Sequence, residues 1–106
     1  MTKIYIILIN FNSFEHTCEC IDSIKKCQNA SYSVVLVDNG SKTKPAFPSG
    51  IHCIRLEENK GFAGANNIGI KYALSQKDCS HILLLNNDTI IKPNTLNAFA
   101  NYSVDH

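Results

Sequence analysis

An open, mainly parallel α/β sheet with helices packed on its faces is the fold class this chain predicts. Four apolar runs, at residues 4–9, 34–37, 51–56 and 82–85, are separated by stretches of helical periodicity. Three of the four are short, continuous and rich in Ile, Val or Leu, as strands covered on both faces are. Strand–helix–strand alternation further implies parallel neighbours joined by right-handed crossovers.

Each element is justified by its own residues. Residues 4–9 lead into Asn10 and Asn12 rather than a small-residue cleavage site, so they read as a buried first strand and not a signal peptide. Asn12 with Glu15 three positions on has the spacing of a capping box, and the stripe Cys20, Ile21, Ile24, Cys27 continues as one apolar helix face. The second strand runs into "VDNGS", where Asn39-Gly40 is also a hairpin dipeptide. The next residues, Lys42-Thr43-Lys44-Pro45, lack the alternation of a returning strand. Residues 41–50, with two prolines and two lysines, read instead as a loop crossing the sheet. A second helix is expected over about residues 63–76, with Ala65, Ile68, Tyr72 and Ala73 inward. Pro93 suits the first turn of a third helix that carries Leu96 and Phe99. The expected order is β-α-β-β-α-β-α.

With 106 residues the chain makes one domain, and 44% hydrophobic against 18% charged residues excludes a disordered segment. A formal charge of +1 and a single arginine, Arg55, offer no electrostatic footprint for nucleic acid. No stretch approaches the roughly 20 apolar residues that cross a bilayer. Five cysteines, with no C-x-x-C among them, read as small core residues in a reducing cytoplasm rather than as a disulfide or zinc framework. His16, His52, His81 and the terminal His106 share no metal-ligand spacing.

The functional signal lies where strands end. Open α/β sheets bind ligands beyond the carboxyl ends of their strands. There this chain places Asn10 and Asn12 after the first run, Asp38 and Asn39 after the second, and Asn86, Asn87 and Asp88 after the fourth. Asn and Asp also favour ordinary strand-end turns, so each group alone has a bland reading. Gly61, Gly64 and Gly69 match neither the dinucleotide fingerprint nor the Walker pattern.

Taken in order, "ILINFN", "VVLVDNGS", "NKGFAGANNIGIKYAL" and "ILLLNNDTIIKP" resemble the inverting family 2 glycosyltransferases of GT-A fold, and within them the bacterial rhamnosyltransferase-like enzymes. The resemblance runs from about Lys3 to about Leu96. It implies that Asp38 faces the base of a nucleotide-sugar, with Asn10 and Asn39 lining the same pocket and Asn66 and Asn67 bordering it. It implies that Asn86-Asn87-Asp88 occupies the family's D-x-D position, Asn87 facing the ribose and Asp88 holding Mg²⁺ or Mn²⁺ on the donor diphosphate. Here that position is mostly amide, leaving one carboxylate. One acid suffices for a cation that also takes phosphate oxygens, although affinity for metal without nucleotide should be poor.

The resemblance also implies a longer enzyme. Family members continue into an acceptor half that brings the general base, whereas after Asp88 this chain has only Asp105 as an acid. Residues 1–106 therefore correspond to the donor-binding part, expected to bind donor without transferring sugar by itself. The whole enzyme would use a UDP- or dTDP-linked donor and a glycan or lipid-linked acceptor, in the cytoplasm, peripherally at the inner face of the plasma membrane. A sheet edge left unpaired would favour self-association. Two rival classes remain. A nucleotidyltransferase would bring a glycine-rich basic loop after the first strand, where "NFNSFE" has neither glycine nor base. A receiver-like interaction module would want an acidic pair there.

Overall fold

The computed structural model describes residues 3–44 and 46–105. Expectations attached to Pro45 and His106 lie outside them. The elements follow in the expected order: β1 (Lys3–Asn10), α1 (Phe14–Lys25), β2 (Ser31–Asn39), β3 (His52–Leu56), α2 (Gly61–Leu74), β4 (His81–Leu84) and α3 (Thr95–Asp105). All three strand pairings are parallel, and the sheet order is β3-β2-β1-β4. No hairpin forms at Asn39-Gly40, since β2 and β3 pair in parallel; residues 41–44 and 46–50 belong to no helix or strand.

The two inner strands are the continuous apolar runs. On one face Ile4, Ile6, Leu8, Val34 and Leu36 pack with Cys20, Ile21 and Ile24 of α1 and Leu96 of α3. On the other, Tyr5, Ile7 and Val35 meet Ala73 of α2. Each buried Ile or Leu contributes about 1.5–3 kcal/mol. Helix α2 lies close because Gly69 lacks a side chain: a Cβ there would stand 2.6 Å from Ile7 Cγ2.

Several expectations need correction. Residues 82–85 read as a strand covered on both faces, yet β4 is an edge strand and Leu84 is half exposed. Length and composition do not distinguish an edge from a centre when the outer face is still apolar. Asn12 does not cap α1. The N-cap is Ser13, without a side-chain capping bond, while Asn12 takes a left-handed φ of 52° and its Oδ1 accepts the Lys42 N–H at 2.9 Å. A local pattern lost to a tertiary partner. Helix α2 begins at Gly61 and ends at Leu74, two residues earlier at each end than expected, and α3 starts at Thr95 rather than Pro93. Cys27 is buried but follows the end of α1.

At the amino ends of the strands the Tyr5 hydroxyl donates to Asp78 Oδ1 at 2.6 Å, and Lys3 Nζ meets Oδ2 at 3.0 Å. The Tyr5 hydrogen bond, then that from Lys3, holds the Asp78 carboxyl below its ordinary 3.8. A lowered folded value means stability present above the unfolded value and lost as pH falls through the folded one. The expected result is that Asp78→Asn melts below the parent at neutral pH, and that the gap closes as both are acidified through the folded carboxyl's value, below 3.8. Thermal melts across pH check it; a gap independent of pH would deny the carboxylate this role.

Candidate functional site

Strand β1 sends its connection to β2 over one face, and β3 returns to β4 over the other, so the order reverses between β1 and β4. Their carboxyl ends therefore part and open a crevice. The β1–α1 turn, the end of β2, the start of α2 and the 86–88 segment surround it.

Asp38 lies near the end of β2 and is fully buried. Its Oδ1 accepts from Ser41 Oγ at 2.6 Å and Asn10 Nδ2 at 2.9 Å. Arg55, opposite it on β3, sets Nη1 3.7 Å from Oδ2, near enough for Coulomb attraction but beyond a hydrogen bond. Oδ2 is thus a buried acceptor with no hydrogen-bond partner. Such atoms are rare, and a ligand donor is one explanation for them. The guanidinium is held in turn over the Phe47 ring, 5.3 Å from its centroid.

Asn10 is almost fully buried beside Asp38, and the Thr17 hydroxyl donates to its Oδ1 at 2.7 Å. Asn39, on the opposite face, is bonded to the chain itself. Its Oδ1 accepts the Lys60 N–H at 2.9 Å and its Nδ2 donates to Asn59 Oδ1 at 3.2 Å. Asn59 Oδ1 also accepts the Gly61 N–H at 2.7 Å. These two asparagines satisfy the amide groups that open α2, where Lys60 as N-cap provides no side-chain bond.

The strand-tip segment is tied to α1. Asn87 Nδ2 donates to Thr17 Oγ1 at 2.9 Å and to Ser13 Oγ at 3.0 Å. Further along the same helix the Cys20 thiol contacts the Asn86 carbonyl at 3.8 Å, and Ser23 Oγ accepts the Ile91 N–H at 3.1 Å. Beyond its end the Cys27 thiol reaches the Lys92 carbonyl at 3.5 Å. Burial, then the charge of Asp88, pushes the Cys20 thiol up to about 11, so it remains a protonated donor. Cys20 and Cys27 are core residues, as expected, and each also anchors a backbone carbonyl.

Asp88 is exposed at the tip, and Asn87 is half-buried. A cavity of about 280 Å³ is lined by Ile9, Phe11, Ser13, Asn39, Asn59, Phe62 and Asn87. Phe11 and Phe62 are largely exposed on its rim. A second, also about 280 Å³, lies towards α1, between Asn10, Asn12, Phe14, Ser41, Lys42 and Thr43. Of the expected residues, the first cavity joins Asn39 and Asn87, while Asn10 and Asp38 are linked beneath the second. Asn66 and Asn67 sit in the second turn of α2, Asn66 buried and Asn67 exposed. Thr17, Ser23, Ser41, Asn59 and Arg55 join the site without having been expected there. A small polar residue on an otherwise apolar helix face, as Thr17 and Ser23 are, was the available signal.

Among the described residues no three His, Cys, Asp or Glu side chains gather to hold a metal, and no helix is long and apolar enough to cross a membrane.

A doubly wound parallel sheet with a polar crevice at its switch point defines a GT-A-like α/β domain. It superposes on the crystal structure of S. aureus TarS 1–349 with a TM-score of 0.81 at 22% identity, covering 99% of this chain and 33% of that one. The chain belongs to glycosyl transferase family 2, whose profile matches residues 5–106. It is similar to an uncharacterized glycosyltransferase, YwdF, of Bacillus subtilis, with 29% identity over 92% of this chain and 37% of the relative. It is also similar to the dTDP-rhamnosyl transferase RfbF of Shigella flexneri, with 33% identity over 86% of this chain and 31% of the relative. The chain thus spans about a third of the length of these relatives.

Proposed function

We propose that this chain is the donor-binding part of an inverting glycosyltransferase that takes a UDP- or dTDP-linked sugar to a bacterial polysaccharide or lipid-linked acceptor. The observation that carries the reading is the buried Asp38 carboxylate, whose Oδ2 has no hydrogen-bond partner at the carboxyl end of β2. Uracil and thymine both present an imide N–H, the kind of donor this oxygen needs. The atom is shielded from solvent, with Arg55 Nη1 3.7 Å away. The likeness to a dTDP-rhamnosyl transferase supports the donor class.

Asp88, exposed at the strand tip, offers one hard-oxygen carboxylate. One such ligand fits Mg²⁺ or Mn²⁺, which keep several waters and complete their shell from substrate phosphate. When bound, the cation would supply charge neutralisation for the departing nucleoside diphosphate. Asn87 commits its nitrogen to α1, which leaves its carbonyl oxygen for a ligand. The general base belongs, on this reading, to an acceptor half of the whole enzyme, which would work at the cytoplasmic face of the membrane.

Calorimetric titration of UDP and dTDP with and without Mn²⁺ tests the assignment. Metal should tighten binding to the parent about tenfold or more, and Asp88→Ala should bind equally with and without it. A variant that keeps the parent's metal dependence would remove Asp88 from the site.

The unpaired side of β4 leads to a further expectation. An exposed strand edge recruits other strands, and here Leu84 and Ile90 add half-exposed apolar surface. Sedimentation should show dimers or larger species as concentration rises. A protein that stays strictly monomeric up to the highest concentration reached would refute self-association.

A further inference from the structure

We infer that Thr17 is a positioning residue that locks the ribose-side amide Asn87 to the nucleobase-side carboxylate Asp38 through Asn10. The inference rests on the donor-site reading for its purpose, but not for its geometry. Asn87 Nδ2 lies 2.9 Å from Thr17 Oγ1, Thr17 Oγ1 2.7 Å from Asn10 Oδ1, and Asn10 Nδ2 2.9 Å from Asp38 Oδ1. These four side chains come from the segment after β4, from α1 and from the ends of β1 and β2.

The direction of every bond follows from one end. A carboxylate only accepts, so Asn10 must turn its nitrogen to Asp38 and its oxygen to Thr17. The Thr17 hydroxyl must then donate its single proton to that oxygen and accept from whatever faces it on the other side. Asn87 must therefore present its nitrogen. All the dipoles point toward the Asp38 charge, an arrangement in which each bond strengthens the next.

Ser13 offers a parallel route, but its hydroxyl is 3.5 Å from Asn10 Oδ1 and only 3.1 Å from the Phe11 carbonyl. Thr17 is the short link. It is also fully buried, next in the stripe to Cys20 and Ile21. A β-branched hydroxyl residue is a poor choice for a buried helix interior unless both of its hydrogen bonds are made. Packing alone would favour an aliphatic residue there. The hydroxyl's use is to set the two ends of the donor crevice in register.

The test uses side-chain amide and carboxyl NMR of the apo protein, then nucleotide titration. In the parent, Asn87→Ala should move the Asn10 side-chain amide and the Asp38 carboxyl resonance. In a Thr17→Val background the same change should leave both still, and in Thr17→Ser the transmission should return. Metal-dependent UDP affinity should fall about three- to tenfold in Thr17→Val, the worth of one buried hydrogen bond, and recover in Thr17→Ser. Should Thr17→Val fail to fold, the Asn87→Ala response in the parent and in Thr17→Ser decides alone: no movement at Asn10 and Asp38 overturns the relay. Transmission without any nucleotide binding would instead overturn the donor-site reading and leave the relay standing. Nucleotide binding with unchanged affinity in a folded Thr17→Val overturns the positioning role.

Discussion

Asp38→Ala should be the most damaging single change at the crevice, lowering stability by about 3–5 kcal/mol, because it leaves two buried donors without their acceptor at about 1–3 kcal/mol each. The carboxylate accepts from Ser41 Oγ and from the Asn10 amide, and it faces Arg55. Without it, two buried donors lose their shortest bonds. A domain of this size has about 5–15 kcal/mol in total, so the variant would be near its unfolding limit. Asp38→Asn keeps the shape and one acceptor oxygen and should lose less. Urea midpoints separate the two, and nucleotide titration of the folded Asp38→Asn reads the site. An Asp38→Ala protein as resistant to urea as the parent would show that the carboxylate holds nothing together.

Gly40→Ala should be nearly as costly, by a different cause. Gly40 follows β2 with φ of +78°, where a side chain costs about 1–2 kcal/mol by itself. A Cβ would also stand 2.5 Å from the Glu58 carbonyl carbon and 2.6 Å from Asn59 N. Both are backbone atoms, so no rotamer relieves the clash, and overpacking adds about 1–3 kcal/mol. The segment that must give way carries Asn59, one of the two asparagines that hold the opening of α2. Denaturant unfolding should therefore show a loss of about 2–5 kcal/mol. Amide exchange should rise first at Lys60 and Gly61. Wild-type stability in Gly40→Ala would mean that the two segments are free to separate.

These outcomes bear on how much of the molecule its residues disclose. Apolar runs and helix periodicity were enough for the element order and the parallel sheet, because both depend on local pattern. The clustering of Asn10, Asp38, Asn87 and Asp88 at one end followed from the topology of any such sheet. Asn12 misled because its partner, Lys42, lies across the β2–β3 loop. Asn39 makes bonds to Asn59 and Lys60 that span about twenty residues, and no local signal announces them. Thr17 was hidden for the same reason: its two partners belong to different strands' ends. The edge position of β4 escaped notice because a strand's neighbours are not written in the strand.

The place of β1 has a consequence for synthesis. It precedes the other three strands in the chain and is also an inner strand, with β2 on one side and β4 on the other. Residues from Asn10 to Leu84 take about 4–15 s to emerge at a translation rate of about 5–20 residues per second. Throughout that interval the newborn strand can pair with β2 but holds its other edge open, with Ile4, Ile6 and Leu8 lacking their α3 cover. The nascent chain therefore passes through a stage in which its most apolar segment is half-dressed, and a chaperone that shields such a strand has its longest opportunity there.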